Sequence, residues 1–451
     1  MYNTIAIEDL NKPAVALCNE GFASDARSAA SGRGMPGLRV VPENTPTNTS
    51  VIEEIEMGIN GAIDDIVAAL TCPLSPEESS PPAKELQKAS GIVFGGSLQE
   101  VNRFFYRRGW TDGLPIIPPT EEAVVEMLTG TDLPPDHMVT KIIPRLGKAT
   151  VEKIAVNAVM AGALPTYMPV LIAGVRALMD SKTWFGIYEV STGSWVPFWI
   201  VNGPVRKDLE INSGAGALSP GNIANATIGR ALGLIVKNIG GARKGVEDMG
   251  VLGNPGKYAA VIAENEEDSP WEPLHVQEGL EREDSAISLF FPNSFAQIPA
   301  YGPDHKDLLN TLIYNVPPGK RDGLTCVMLN PAHAASLASS GWTKDDITRF
   351  IAEYARVPAH RHPNSWPVMY SGRYMLRQRP PLNPEESMSI IGGPEKIRVV
   401  VAGGPGSFVG IGLGGTMPCE WVTKKVELPA NWDRLVEKFR HVAPTCVGYS
   451  G

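Results

Sequence analysis

Residues 73–83, Pro-Leu-Ser-Pro-Glu-Glu-Ser-Ser-Pro-Pro-Ala, hold four prolines and three serines in eleven positions. Such a run of missing N–H groups and fixed φ angles fits neither a helix interior nor a central strand. The segments on its two sides must therefore fold as separate units. The expected division is a first unit over residues 1–72, a linker over 73–88 and a large unit over 89–451. A chain of 451 residues exceeds one ordinary hydrophobic core in any case.

The first unit reads as strand at Pro13–Leu17, strand at Leu38–Val41 and a long helical pattern from Val51 to Leu70. This is about half of a doubly wound, Rossmann-like α/β domain. Two strands do not make a stable parallel sheet by themselves, so the other half is expected to come from elsewhere. In the large unit, Ser97 with Glu100, Thr120, Thr150 and Thr343 each stand at the start of an apolar helical period. Short apolar runs at Phe198–Val201, Tyr258–Ala263, Ala286–Phe291, Leu324–Leu329 and Ile397–Ala402 read as strands. The expected fold is α/β: a partial doubly wound N-terminal domain and a large mixed α/β domain carrying the site. With 46 glycines and 39 prolines, that site is expected on loops.

The densest chemistry lies in residues 257–278. A buried-strand pattern there runs into Glu264, Glu266, Glu267, Asp268 and Glu272, followed by His275. Acids and an imidazole at a strand exit are placed either as an acid/base pair or as oxygen and nitrogen ligands of a divalent metal. The metal set is Glu264, Glu267, Glu272 and His275. The competing reading makes Ser269-Pro270-Trp271-Glu272 a capping box with no ligand. A second histidine, His333, lies beyond the strand ending at Leu329 and joins Glu264 and His275 as a candidate catalytic residue.

Candidate substrate-binding residues come from two loops. Asn212-Ser-Gly-Ala-Gly-Ala-Leu-Ser-Pro-Gly-Asn222 feeds a helix, so Gly214, Gly216, Asn222, Asn225 and Arg230 suit a phosphate or carboxylate at a helix start. It lacks the Gly-Lys-Ser/Thr of a P-loop and the third glycine of a dinucleotide fingerprint. Asp112 stands in the rigid turn Trp110-Thr-Asp-Gly-Leu-Pro115. A further cluster, Gly403–Gly415, implies close backbone approach, and residues 357–384 with His360 and His362 read as surface loop.

A net charge of −9 and a pI near 5.4 leave no basic stripe for nucleic acid or an anionic membrane. The N-terminus has no signal-peptide pattern and no run reaches transmembrane length, so the expected location is the cytoplasm. Cys18, Cys72, Cys326, Cys419 and Cys446 show neither an even count nor a CxxC spacing. Cys419 reads as a small buried residue.

Several stretches in one order resemble the bacterial UGSC-type (seleno)protein family. They are Trp-Thr-Asp-Gly-Leu-Pro at 110–115, Ala-Thr-Val-Glu-Lys-Ile-Ala-Val-Asn-Ala-Val-Met-Ala-Gly at 149–162, Asn-Ser-Gly-Ala-Gly-Ala-Leu at 212–218, Asn-Ala-Thr-Ile-Gly-Arg-Ala-Leu at 225–232, Asn-Ile-Gly-Gly-Ala-Arg at 238–243, and Ala-Glu-Asn-Glu-Glu-Asp-Ser-Pro-Trp-Glu-Pro-Leu-His at 263–275. Lys-Pro-Ala-Val-Ala-Leu-Cys-Asn-Glu-Gly-Phe at 12–22 is similar to the back half of that family's small α/β domain. The family's redox motif stands upstream of this strand. The resemblance therefore implies a thiol or selenol centre supplied by a missing N-terminal segment or a small partner subunit. The leading expectation is an oligomeric, thiol- or selenol-dependent oxidoreductase or lyase-like enzyme acting on a small anionic substrate. The alternatives are a metal-dependent hydrolase or lyase at Glu264–His275, and a non-catalytic ligand-binding or assembly subunit.

Overall fold

A computed structural model describes residues 2–45, 52–79, 91–301, 304–316, 323–358, 385–414, 419–440 and 442. The fold is α/β. Strands β1 (Ala16–Asn19) and β2 (Val40–Glu43) pair in parallel as a two-stranded sheet. The expected strands at Pro13–Leu17 and Leu38–Val41 are thus present but begin two or three residues later. The helix Ile52–Thr71 packs on β2. Arg39 ties the end of this unit together, donating to the carbonyls of Ala68, Ala69, Cys72 and Pro73 and to Glu78. Residues 73–79 of the proline-rich stretch therefore belong to the first unit and include a short helix, Pro76–Ser79. Residues 80–90 lie outside the described residues, as do His360, His362 and Cys446.

Next comes a hairpin of β3 (Met138–Ile142) and β4 (Gly147–Thr150). The remaining strands are β5 (Phe198–Asn202), β6 (Val261–Ala263), β7 (Ala286–Phe290), β8 (Pro292–Pro299), β9 (Thr325–Leu329), β10 (Arg356–Pro358), β11 (Ser387–Ser389), β12 (Ile397–Val401), β13 (Phe408–Gly414) and β14 (Val422–Lys425). They form two mixed four-stranded sheets, β14-β7-β5-β6 and β12-β9-β13-β8, with β10–β11 as a small antiparallel pair. Within them β5–β6 and β12–β9 are the parallel pairs. All five residues of β5, of β7 and of β9 are buried, which is why these strands read as unbroken apolar runs rather than alternating ones.

The first sheet is covered by the helices Met168–Leu178 and Ile223–Ile235, on which Val151–Ala161 packs in turn. The expected caps form. Thr150 and Thr120 accept from the N–H groups of Lys153 and Ala123, and Ser97–Glu100 and Thr343–Asp346 are reciprocal capping boxes. The Ser269–Glu272 box does not. The Ser269 hydroxyl engages Trp271, and the short helix runs over Leu274–Gln277 with Pro273 before it. Gly403 and Gly404, the first of the expected glycine cluster, do approach another element closely. A Cβ at Gly404 would stand 2.6 Å from the Ala215 Cβ, and Gly403 N–H donates to the Ser213 carbonyl.

The two units touch. In the helix Ala23–Gly32, the Ser28 hydroxyl donates to Glu247 Oε1 at 2.5 Å. Glu247 is fully buried and also held by Arg243 through two side-chain bonds. Asp25 faces the same carboxylate, and burial together with Glu247 raises its carboxyl to about 6.

Candidate functional site

The strand-exit cluster assembles, but it is sealed. Glu264 comes directly after β6 and is fully buried. Its carboxylate accepts from Asn202 Nδ2 at 2.7 Å, from the Leu274 N–H at 2.7 Å and from Lys344 Nζ at 2.9 Å. Lys344 itself is 3 % exposed and also donates to the Glu272 carbonyl. A carboxylate with three charged or polar donors and no exposed surface is an internal tie. His275 is likewise fully buried, with Nε2 3.4 Å from the Arg282 carbonyl and Nδ1 4.0 Å from Glu266.

The expected metal set is corrected. Glu267 is engaged by Arg206 and Lys207, and the Arg206 bonds hold its carboxyl down at about 2. The Glu272 side chain is exposed to solvent. Among the described residues no group of three or more His, Cys, Asp or Glu is placed to hold a metal ion. His333 lies elsewhere, at the start of the helix Pro331–Ser339. Its Nδ1 is 3.0 Å from Asn330 Nδ2, and burial lowers its pKa.

The glycine-rich loop serves structure first. Asn222 caps the helix Ile223–Ile235 by accepting from Asn225 N–H, so that helix-start donor is already used. Asn225 Oδ1 accepts from Asn212 N–H, and its Nδ2 donates to the carbonyls of Asn212, Ala217 and Val261. One amide thus stitches the loop to β6. Gly214 N–H is taken by Asn212, while Gly216 occupies the left-handed region at φ 68°.

The other two predicted binding residues meet at a real opening. Arg230 grips Asp112 with two bonds of 2.8 and 3.0 Å and donates to the Pro115 carbonyl. About two turns further on, Lys237 donates to the Gly109 carbonyl and Asn238 to that of Trp110. Lys237 and Asn238 lie in a π-helical stretch, Val236–Gly240, that continues the helix. Three side chains of one helix therefore pin the Gly109–Pro115 turn at the rim of a cavity of about 740 Å³. Arg230→Ala is expected to lower stability by about 2 kcal/mol through the lost charged bonds. It should also speed amide hydrogen exchange across residues 109–115, and unchanged exchange there would contradict the clamp.

The deep wall of this cavity is aromatic. Phe185, Phe291 and Tyr188 stack in sequence with centroid spacings of 5.8 and 4.7 Å, and Trp195 meets Tyr188 edge-on at 5.3 Å. Next to Tyr188, in the helix Phe185–Val190, stands Glu189, 7 % exposed and lining the cavity. Its Oε2 has no hydrogen-bond partner. Burial pushes its carboxyl up to about 8, with Asp248 adding to the shift and Lys257 opposing it. Lys257 is itself held by both oxygens of Asp248 at 2.8 and 2.7 Å. Lys237 and the exposed Lys244 complete the charged lining, and burial lowers the Lys237 pKa.

Sequence reasoning missed Glu189. The available signal was a single charge inside the run Trp184-Phe-Gly-Ile-Tyr-Glu-Val190, but its raised pKa depends on burial and on Asp248, which is remote in sequence. No cysteine is among the residues lining the cavity. Cys326 and Cys419 are buried, Tyr188 Oη lies 2.9 Å from Cys419 Sγ, and burial raises the pKa of Cys18, Cys326 and Cys419. No helix among the described residues is long and apolar enough to cross a membrane. No family model, curated protein or solved structure matches the chain.

Proposed function

We propose that the protein is an enzyme that binds a small organic anion in the cavity and moves a proton to or from it through Glu189. One observation carries this reading: a nearly buried carboxyl, with one oxygen unpartnered, lines an opening large enough for a metabolite. A group titrating near 8 is protonated at neutral pH and close enough to it to act in both directions, as acid and then as base. The lining favours an anion. Arg230, Lys237, Lys244 and Lys257 face only Asp112 and Asp248 once Glu189 holds its proton.

This reading keeps the small anionic substrate expected from the sequence and moves proton transfer from Glu264, His275 and His333 to Glu189. It requires neither a divalent metal nor the thiol or selenol centre that the resemblance implies. The test is exchange of carbon-bound hydrogen in D2O, monitored by NMR over a panel of aliphatic and aromatic 2-oxo and saturated carboxylates. Glu189→Gln should slow exchange by about two to four orders of magnitude. Panel members that bind without exchanging would make the protein a binding subunit, and equal exchange by the variant would remove Glu189 from the chemistry.

A further inference from the structure

We propose that the cavity selects a flat, unsaturated carboxylate, with its body against the Phe185–Phe291–Tyr188 stack and its anionic head among the cationic side chains. The inference rests on the cavity being the site of function and adds what the ligand must look like. Two independent features of the lining lead to it.

The first is the shape and chemistry of the deep wall. Three rings stacked nearly parallel, at interplanar angles of 20° and 13°, with Trp195 set at 81° to the last of them, cover one another's faces and are nearly buried, so what they turn toward a ligand is their edges, the positive rim of each ring. A planar π-system meets such a wall edge to face, gaining the attraction between that rim and its own negative face beyond simple burial. A flexible alkyl chain gains only the burial and loses rotamer freedom on entry.

The second is the polar inventory. Arg230 and Lys257 are matched by Asp112 and Asp248, while no lining acid forms an ion pair with Lys237, whose ammonium donates to the Gly109 carbonyl, or with the exposed Lys244. Glu189 in its protonated form is a donor, and a ligand carboxylate is the acceptor that satisfies it. A neutral ligand would leave the surplus cations unmatched, and a cationic one would be repelled.

The test uses 2-naphthoate as probe, with 2-naphthalenemethanol and hexanoate as controls. Binding is measured at pH 7 by quenching of tryptophan fluorescence and by calorimetry on the whole chain. The naphthoate is expected to bind at least tenfold more tightly than either control. It should weaken at least tenfold at pH 9.5, where Glu189 carries a negative charge, and in Lys237→Ala, whose folding is checked by circular dichroism. The pH arm stands even if that variant fails to fold. Hexanoate or the alcohol binding as tightly as naphthoate would overturn the inference, and so would the absence of saturable naphthoate binding. Proton transfer by Glu189 is read separately by deuterium exchange, whose panel includes aliphatic acids. A preference for aliphatic ligands would therefore end this inference without deciding that one.

Discussion

Replacing Glu189 by glutamine is expected to leave the protein several kcal/mol more stable than its parent at pH 9, and hardly different at pH 4. In the unfolded chain this carboxyl releases its proton near the ordinary value of 4.5, whereas in the folded protein it holds the proton until about pH 8. Between those values the folded state binds more protons than the unfolded state. The parent therefore loses stability as pH rises through that window, by about 1.4 kcal/mol per pH unit, and the loss levels off above pH 8. The accumulated penalty is roughly 3–5 kcal/mol. Glutamine keeps the shape and never ionises, so the penalty vanishes. Urea denaturation of both proteins at pH 4, 6, 8 and 9 checks this. Titrating groups remote from Glu189 cancel in the difference, and parallel stability profiles would show that Glu189 ionises normally. A stabilising substitution that also abolishes proton exchange is the expected pattern when function is maintained against folding.

The opposite behaviour is expected at the sealed cluster. Lys344→Met should cost about 3–5 kcal/mol, because it leaves the Glu264 carboxylate buried with only Asn202 and the Leu274 N–H for partners. Adding Glu264→Gln to that variant removes the stranded charge and should recover more than half of the loss. Denaturation of the two single variants and the double variant measures this directly. The folded double variant should retain proton exchange and naphthoate binding within a few-fold of the parent. A stable double variant that lost exchange by orders of magnitude would return Glu264 to the chemistry.

The contrast between these two acids explains what was legible in the sequence. Strand–acid–histidine order correctly marks Glu264 and His275 as residues gathered at a sheet edge, since both come after β6 within a short, stiff, proline-containing segment. It says nothing of what lies above them, and Lys344, eighty residues on, closes that edge. Helix caps were legible because a hydroxyl and the N–H it serves lie three residues apart. Asp112 and Arg230 were each legible as polar residues in rigid surroundings, but their pairing spans 118 positions. The strand β13 hid behind its glycines, which there allow Phe295 and Phe290 to pack over the backbone. Glu189 was the hardest to see, because its unusual affinity for a proton arises from neighbours that no local pattern announces.

The π-helical stretch Val236–Gly240 bears on how this sequence can vary. A π turn carries one residue more than the α-helical path it interrupts. Deleting one residue from 236–240 would narrow that turn to an ordinary one and leave the chain beyond it close to its present place, whereas a deletion within Ile223–Ile235 would turn everything beyond it by about 100°. What the first deletion loses is the wide turn itself, from which Lys237 and Asn238 reach the Gly109 and Trp110 carbonyls and Asn157. The segment thus acts as a length buffer. A one-residue loss is expected to spare the fold there and to disrupt it in the helix before.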